Sequence, residues 1–147
     1  MRNEDAQTTF LVVTFQVQDA LFGINSIQVE EIVRIPPITF VPGAPSYVLG
    51  IVNLRGRILT VLDVSDRLGL GKTEMGEETR ILVVSVNGES FGAVVPKLSD
   101  VVEAQQGEIK QMGRGIKGVA ADHFLGLFER GDRLIALLDP HKTLMAS

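Results

Sequence analysis

Apolar positions along this chain cluster in short β-branched runs broken by turn residues, the signature of strands rather than long helices. From Thr9 the sequence TFLVVTFQV reads as a strand, and Leu21-Phe22-Gly23-Ile24 reads as its return after a turn at 18–20. Residues 27–33 alternate apolar and polar, which predicts a third strand with one buried face, with a helix as the alternative. Pro36, Pro37, Pro42, Gly43 and Pro45 then force an extended surface loop, because proline fixes φ and removes a donor. Residues 47–54 and 58–62 read as two strands around a tight Arg-Gly turn, in which Gly56 supplies the positive φ. Asp63 or Ser65 caps a short helix that Gly69 ends. The polar, Gly-containing stretch 71–79 is the expected mobile boundary.

The pattern then begins again. Residues 81–86 form a strand, Asn87-Gly88 is a type I′ hairpin signal, and residues 91–95 return. Phe22-Gly23-Ile24 matches Phe91-Gly92-Ala93 at an offset of 91 − 22 = 69, and Val29, Glu31, Ile32 and Val33 match Leu98, Asp100, Val101 and Val102 at the same offset. Arg57 to Asp63 matches Arg133 to Asp139, where 133 − 57 = 76, and in each copy an Arg-Gly pair precedes the strand and an Asp able to cap a helix follows it. A repeat of about 70 residues with about five strands suits two small barrels or sandwiches. Copies this small bury little surface alone, so a third, shared apolar core between them is expected. The expected boundaries are 9–72 for lobe 1, 80–139 for lobe 2 and 140–146 for a C-terminal helix, with a disordered N-terminus over 1–8.

Composition narrows the function. With 45% apolar residues in 147, the chain can build a core. No apolar run reaches the length of a membrane span and the charged opening lacks a signal-peptide layout, which points to the cytoplasm without direct membrane insertion. The absence of Cys excludes thiolate chemistry, two histidines are too few for most zinc sites, and no metal or cofactor is expected. A net charge of −4 argues against a nucleic-acid partner, which would call for a basic face.

Motifs that resemble catalytic ones lack the required context. Gly88-Glu89-Ser90-Phe91-Gly92 fits a nucleophile elbow, yet a hairpin surrounds it where a strand-to-helix turn is needed, leaving a serine hydrolase using Ser90 as a remote alternative. Gly113-Arg114-Gly115-Ile116-Lys117-Gly118 fits G-x-G-x-x-G without a βαβ unit, and Gly71-Lys72-Thr73 lacks the first glycine of a Walker A loop. Glu30 and Glu31 are adjacent on a strand and point to opposite faces, so they cannot share a proton on one surface.

Three segments carry a family resemblance: Val29-Glu30-Glu31-Ile32-Val33; Val41-Pro42-Gly43-Ala44-Pro45; and Val48 to Gly56, which contains Asn53-Leu54-Arg55-Gly56. Together they resemble the CheW family of bacterial chemotaxis coupling proteins, and the resemblance runs from about Phe10 to about Leu144, so that 9–147 is expected to be one CheW-like domain. It implies a mostly β fold of two small five-stranded SH3-like β-barrel lobes around a shared hydrophobic core, with short helices. It also implies a non-enzymatic scaffold that couples the regulatory domain of a CheA-type histidine kinase to the cytoplasmic tips of methyl-accepting receptors, and so is recruited to membrane-associated receptor arrays. An alternative within the family is an adaptor of a dedicated pathway such as twitching motility or surface signalling. The partner-binding positions implied are Val29, Glu31, Gly50, Asn53 and Arg55 in the first copy and Leu98 and Val101 in the second, with Gly56 as a structural turn. The chain departs from the family at Val95-Pro96, where many members have Val-Asp, and proline requires the strand to end or lie at an edge there.

Overall fold

The computed structural model describes residues 8–113, 115 and 118–145. Residues 1–7 of the tail expected over 1–8, part of the 113–118 glycine motif, and residues 146–147 lie outside the described residues. Ten strands account for most of the rest: β1 (Thr9–Val17), β2 (Ala20–Asn25), β3 (Val29–Val33), β4 (Val48–Leu54), β5 (Arg57–Asp63), β6 (Arg80–Val86), β7 (Glu89–Val95), β8 (Lys97–Gln105), β9 (Phe124–Arg130) and β10 (Arg133–Leu138). Two short helices, α1 (Val64–Arg67) and α2 (Pro140–Leu144), each follow an Asp N-cap, Asp63 and Asp139, as the repeat predicts. Thr8, expected to be disordered, is held: its carbonyl accepts the N–H of Gln106 at 2.9 Å.

The strands form two five-stranded sheets, in the orders β8-β1-β2-β10-β9 and β3-β6-β7-β5-β4. Adding five to each strand number of the second order, counting on from β10 to β1, gives the first order, so the duplication read from the sequence is a duplication of architecture. The sheets do not follow the sequential halves, however. β1 and β2, expected in lobe 1, pair with β8 and β10 of the second copy, while β3 to β7 form the other sheet without interruption. The chain changes sheets twice, between β2 and β3 and between β7 and β8. At the first crossing Asn25 caps a 3-10 turn, Ser26–Gln28, by accepting the Ile27 N–H, so the strand predicted over 27–33 starts only at Val29. Pro96 stands at the second. A residue without an N–H suits a point where the chain leaves one ladder for another, which accounts for the departure at Val95-Pro96.

Three apolar clusters follow from this layout. Val52, Leu59, Val61, Ile81, Val83 and Val94 fill the sheet that runs from β3 to β7. Val12, Ala104, Phe128, Ile135 and Leu137 fill the other. The largest cluster takes residues from both sheets, with Phe15, Phe22, Leu82 and Leu138 fully buried in it, and is the shared core expected from lobes too small to stand alone. Phe22 stacks on Phe15 and on Phe124, with ring centroids 6.0 Å apart in both pairs.

Candidate partner-binding surface

β3 and β8 are edge strands of their sheets, and each carries a bulge that decides which side chains share a face. In β8, Leu98 lies opposite Phe15 and Val101 opposite Val13, with the register shift between them. Residues three apart on a regular strand point to opposite faces; the shift brings both to the side of the shared core. Leu98 packs on that core, whereas Val101 reaches its rim and is 56% exposed. β3 repeats this arrangement, with Val29 opposite Val84, Ile32 opposite Leu82 and the register shift between Val29 and Glu31. Val29 packs on the shared core and Ile32 is 41% exposed. Two matched apolar rims therefore border the shared core, and Ile32 joins the candidate surface although the sequence reading does not select it. The signal was present, since Ile32 matches Val101 at the offset of 69.

Glu31 lies on the other side of this arrangement, opposite Val83 of the neighbouring core, and its carboxylate pairs with the Arg55 guanidinium at the β4–β5 turn. Glu31 and Arg55 thus meet each other, joining β3 at one edge of its sheet to the turn of β4 at the opposite edge. The turn is a two-residue loop in which Arg55 has φ 53° and Gly56 φ 86°, the left-handed pair of a type I′ hairpin. Asn53 is exposed, but its Oδ1 accepts the N–H of Gly56 at 2.8 Å, so it holds the turn that aims Arg55. Gly50 is buried. A Cβ there would lie 2.1 Å from the Thr39 carbonyl oxygen, because the Pro-rich segment bonds to β4 through Thr39 and Ile51. Beside the contact role implied by the resemblance, the geometry gives Gly50 a packing role, because it permits a close backbone approach.

Next to this pair, Arg57 bridges to Glu30 at 3.1 Å and donates to Ser90 Oγ at 2.7 Å, while the Ser90 hydroxyl donates to Glu30. The hydrogen bond from Ser90, reinforced by the one from Arg57, holds the Glu30 carboxyl below the usual glutamate range. Ser90 lies within β7, paired with Ser85 of β6, and its bonding partners are a carboxylate and a guanidinium, with no imidazole to activate it. In the second copy Arg133, which matches Arg57, donates to Ser99 at 3.0 Å and bridges to Asp100 at 3.6 Å.

Further large apolar side chains stand out from the surface. Ile27, on the 3-10 turn between the sheets, is 87% exposed, Phe40 is 72% exposed and Ile58 is 61% exposed. Among the described residues no cluster of His, Asp and Glu could hold a metal ion, and no helix is long and apolar enough to cross a membrane.

The sequence model of a family described as the CheW-like domain matches residues 11–147. A chemotaxis protein CheW of Treponema pallidum is 30% identical over 137 residues, covering 90% of this chain and 81% of that one. The protein FrzA of Myxococcus xanthus is 30% identical over 135 residues, covering 90% and 84% respectively. The crystal structure of a scaffolding protein CheW from Thermoanaerobacter tengcongensis superposes with a TM-score of 0.86 over 100% of this chain and 95% of that one at 24% identity, which establishes the fold.

Proposed function

This chain belongs to the CheW-like domain family of non-catalytic adaptors, and on that premise we propose that it couples a CheA-type histidine kinase to the cytoplasmic tips of methyl-accepting receptors. The observation that carries this reading is the pair of apolar rims, Val29 with Ile32 and Leu98 with Val101, bordering a core that both sheets share. An amphipathic helix of a receptor tip lays apolar side chains on such a surface, and the Glu31–Arg55 pair beside one rim supplies charges that fix its register. Phe40 and Ile58 are exposed apolar side chains on segments other than β3 and β8, and they are the candidate contacts for the kinase regulatory domain. The protein then works in the cytoplasm, recruited to receptor arrays by its partners.

The test is a set of pairwise and ternary binding assays with a cognate kinase regulatory domain and a receptor fragment. A ternary complex is expected, and loss of both pairwise contacts would refute the proposal. A second reading, an adaptor of a dedicated pathway, draws on the similarity to FrzA, a relative whose name is not that of a chemotaxis protein. It is distinguished by which of several kinase paralogues the chain binds most tightly.

A further inference from the structure

Two polar atoms are sealed from solvent without a hydrogen-bond partner among the described residues: Nδ1 of His123 and the hydroxyl of Thr143. Native proteins leave few such groups, and each calls for an explanation. Here the two lie on elements packed together. His123 ends a 3-10 turn, Ala121–His123, and its carbonyl accepts the N–H of Asp139, the N-cap of α2, at 2.8 Å. Thr143 sits one helical turn further on, its N–H bonded to the Asp139 carbonyl at 3.0 Å and its side chain buried.

Arg67 of α1 joins them. Its Nε donates to the Thr143 carbonyl at 3.0 Å and its Nη2 to the Lys142 carbonyl at 3.2 Å, and its guanidinium lies 4.8 Å from the centre of the Tyr47 ring. One cation thus satisfies the last carbonyls of α2, where the helix dipole favours positive charge, and braces the start of β4. α1 follows a strand of one sheet and α2 a strand of the other, so this clasp ties the two lobes together at their ends.

The surroundings of the imidazole beside the clasp disfavour its protonated form. Burial pushes the His123 pKa down, the Arg67 charge pushes it the same way, and only Asp122 acts in the opposite sense. The carboxylate of Asp139 is committed to the N–H groups of His141 and Lys142, and those two side chains add basic groups on α2. Asp122 is exposed, so solvent screens its charge.

We propose that His123 is a proton-operated release for this clasp: a proton on the imidazole sets a second cation against Arg67, which then leaves the α2 carbonyls and the face of Tyr47. Tyr47, Leu144 and Met145 also line an apolar cleft of about 370 Å³ together with Val48, Leu62 and Phe91, so release opens this cleft at the seam between the lobes.

The chain contains one tyrosine and no tryptophan, so the near-ultraviolet tyrosine circular dichroism reports Tyr47 alone. In the full chain this signal is expected to change through a one-proton transition with its midpoint below about 6.5, while the far-ultraviolet signal stays constant. His123→Gln is expected to abolish the transition and His141→Gln to preserve it. A transition that survives His123→Gln, or no transition down to the carboxylate range, overturns the proposal. Should His123→Gln fail to fold, Arg67→Gln serves in its place: removing the neighbouring charge is expected to tighten proton binding at His123 several-fold, read from its imidazole proton resonances. An unchanged His123 midpoint in that variant also overturns the proposal.

Discussion

Gly50→Ala separates a contact role from a packing role at a position the family resemblance placed in the partner surface. The added Cβ would meet the Thr39 carbonyl oxygen at 2.1 Å and its carbon at 2.8 Å, and both are backbone atoms that cannot rotate away. The segment around Thr39 must then lift off β4. Two backbone hydrogen bonds are lost, Thr39 N–H to the Ile51 carbonyl at 2.8 Å and Ile51 N–H to the Thr39 carbonyl at 2.9 Å. At about 1 kcal/mol net for each bond, this amounts to about 2 kcal/mol. Gly50 also has φ 143°, a region nearly exclusive to glycine, which adds about 1–2 kcal/mol of strain. The expected loss is therefore about 3–4 kcal/mol, which for a chain of this length corresponds to a fall of about 10 °C in Tm. Gly126 repeats the device, with a Cβ there 2.6 Å from the Lys110 carbonyl oxygen, so Gly126→Ala is expected to destabilise as well. Calorimetry on Gly50→Ala beside a receptor-binding assay decides the matter. A Tm within about 2 °C of the parent together with lost binding would refute the packing argument and leave Gly50 its contact role alone.

Arg55→Gly removes the guanidinium while relieving a left-handed residue, so the Tm is expected to hold or rise slightly as receptor binding falls, since an exposed ion pair contributes only about 0–1 kcal/mol. A large drop in Tm would make Arg55 a structural residue. Ile32→Asp on the apolar rim is expected to change stability by less than about 1 kcal/mol and weaken receptor binding by about tenfold or more, as titration of a receptor fragment would show. Asp63→Ala removes the cap of α1 and the acceptor for the Thr73 N–H and hydroxyl, at 2.8 and 2.7 Å, and its burial sets the expected cost at about 3 kcal/mol by denaturant titration. Because Ser90 and Arg57 hold the folded-state pKa of Glu30 below its unfolded value, the stabilisation is complete above about pH 4.3 and fades as pH falls through the lower folded value. Glu30→Gln should flatten that acid limb of a stability profile, and an unchanged limb would mean the interaction contributes nothing.

Much of the architecture was legible because it rests on local chemistry. Asn87-Gly88 and Arg55-Gly56 form the tight turns expected, with φ 51° at Asn87 and 53° at Arg55, and Asp63 and Asp139 cap their helices. The site was legible in part. The family resemblance names Glu31, Arg55, Val29, Leu98 and Val101; the fold pairs the first two and sets the other three along the two rims. Sequence reading missed Ile32 because the prediction treated 27–33 as one regular strand, whereas the bulge beside Glu31 turns Ile32 toward the shared core. The family resemblance names Gly50 among the contacts, and nothing along the chain shows that Thr39 arrives against it.

The sequence by itself determined the strands, their turns, the repeat and the need for a shared core, since each follows from spacing, backbone preference and the small size of one copy. Only the tertiary structure decided which strands pair. Each copy offers two leading strands with similar faces, and pairing within a copy or across copies satisfies the same alternation. The parallel contacts of β2 with β10 and β5 with β7 choose the crossed arrangement, in which residues distant along the chain border one core. The two apolar rims are a product of that choice, which is why a linear pattern could name several of their residues and not the surface they make.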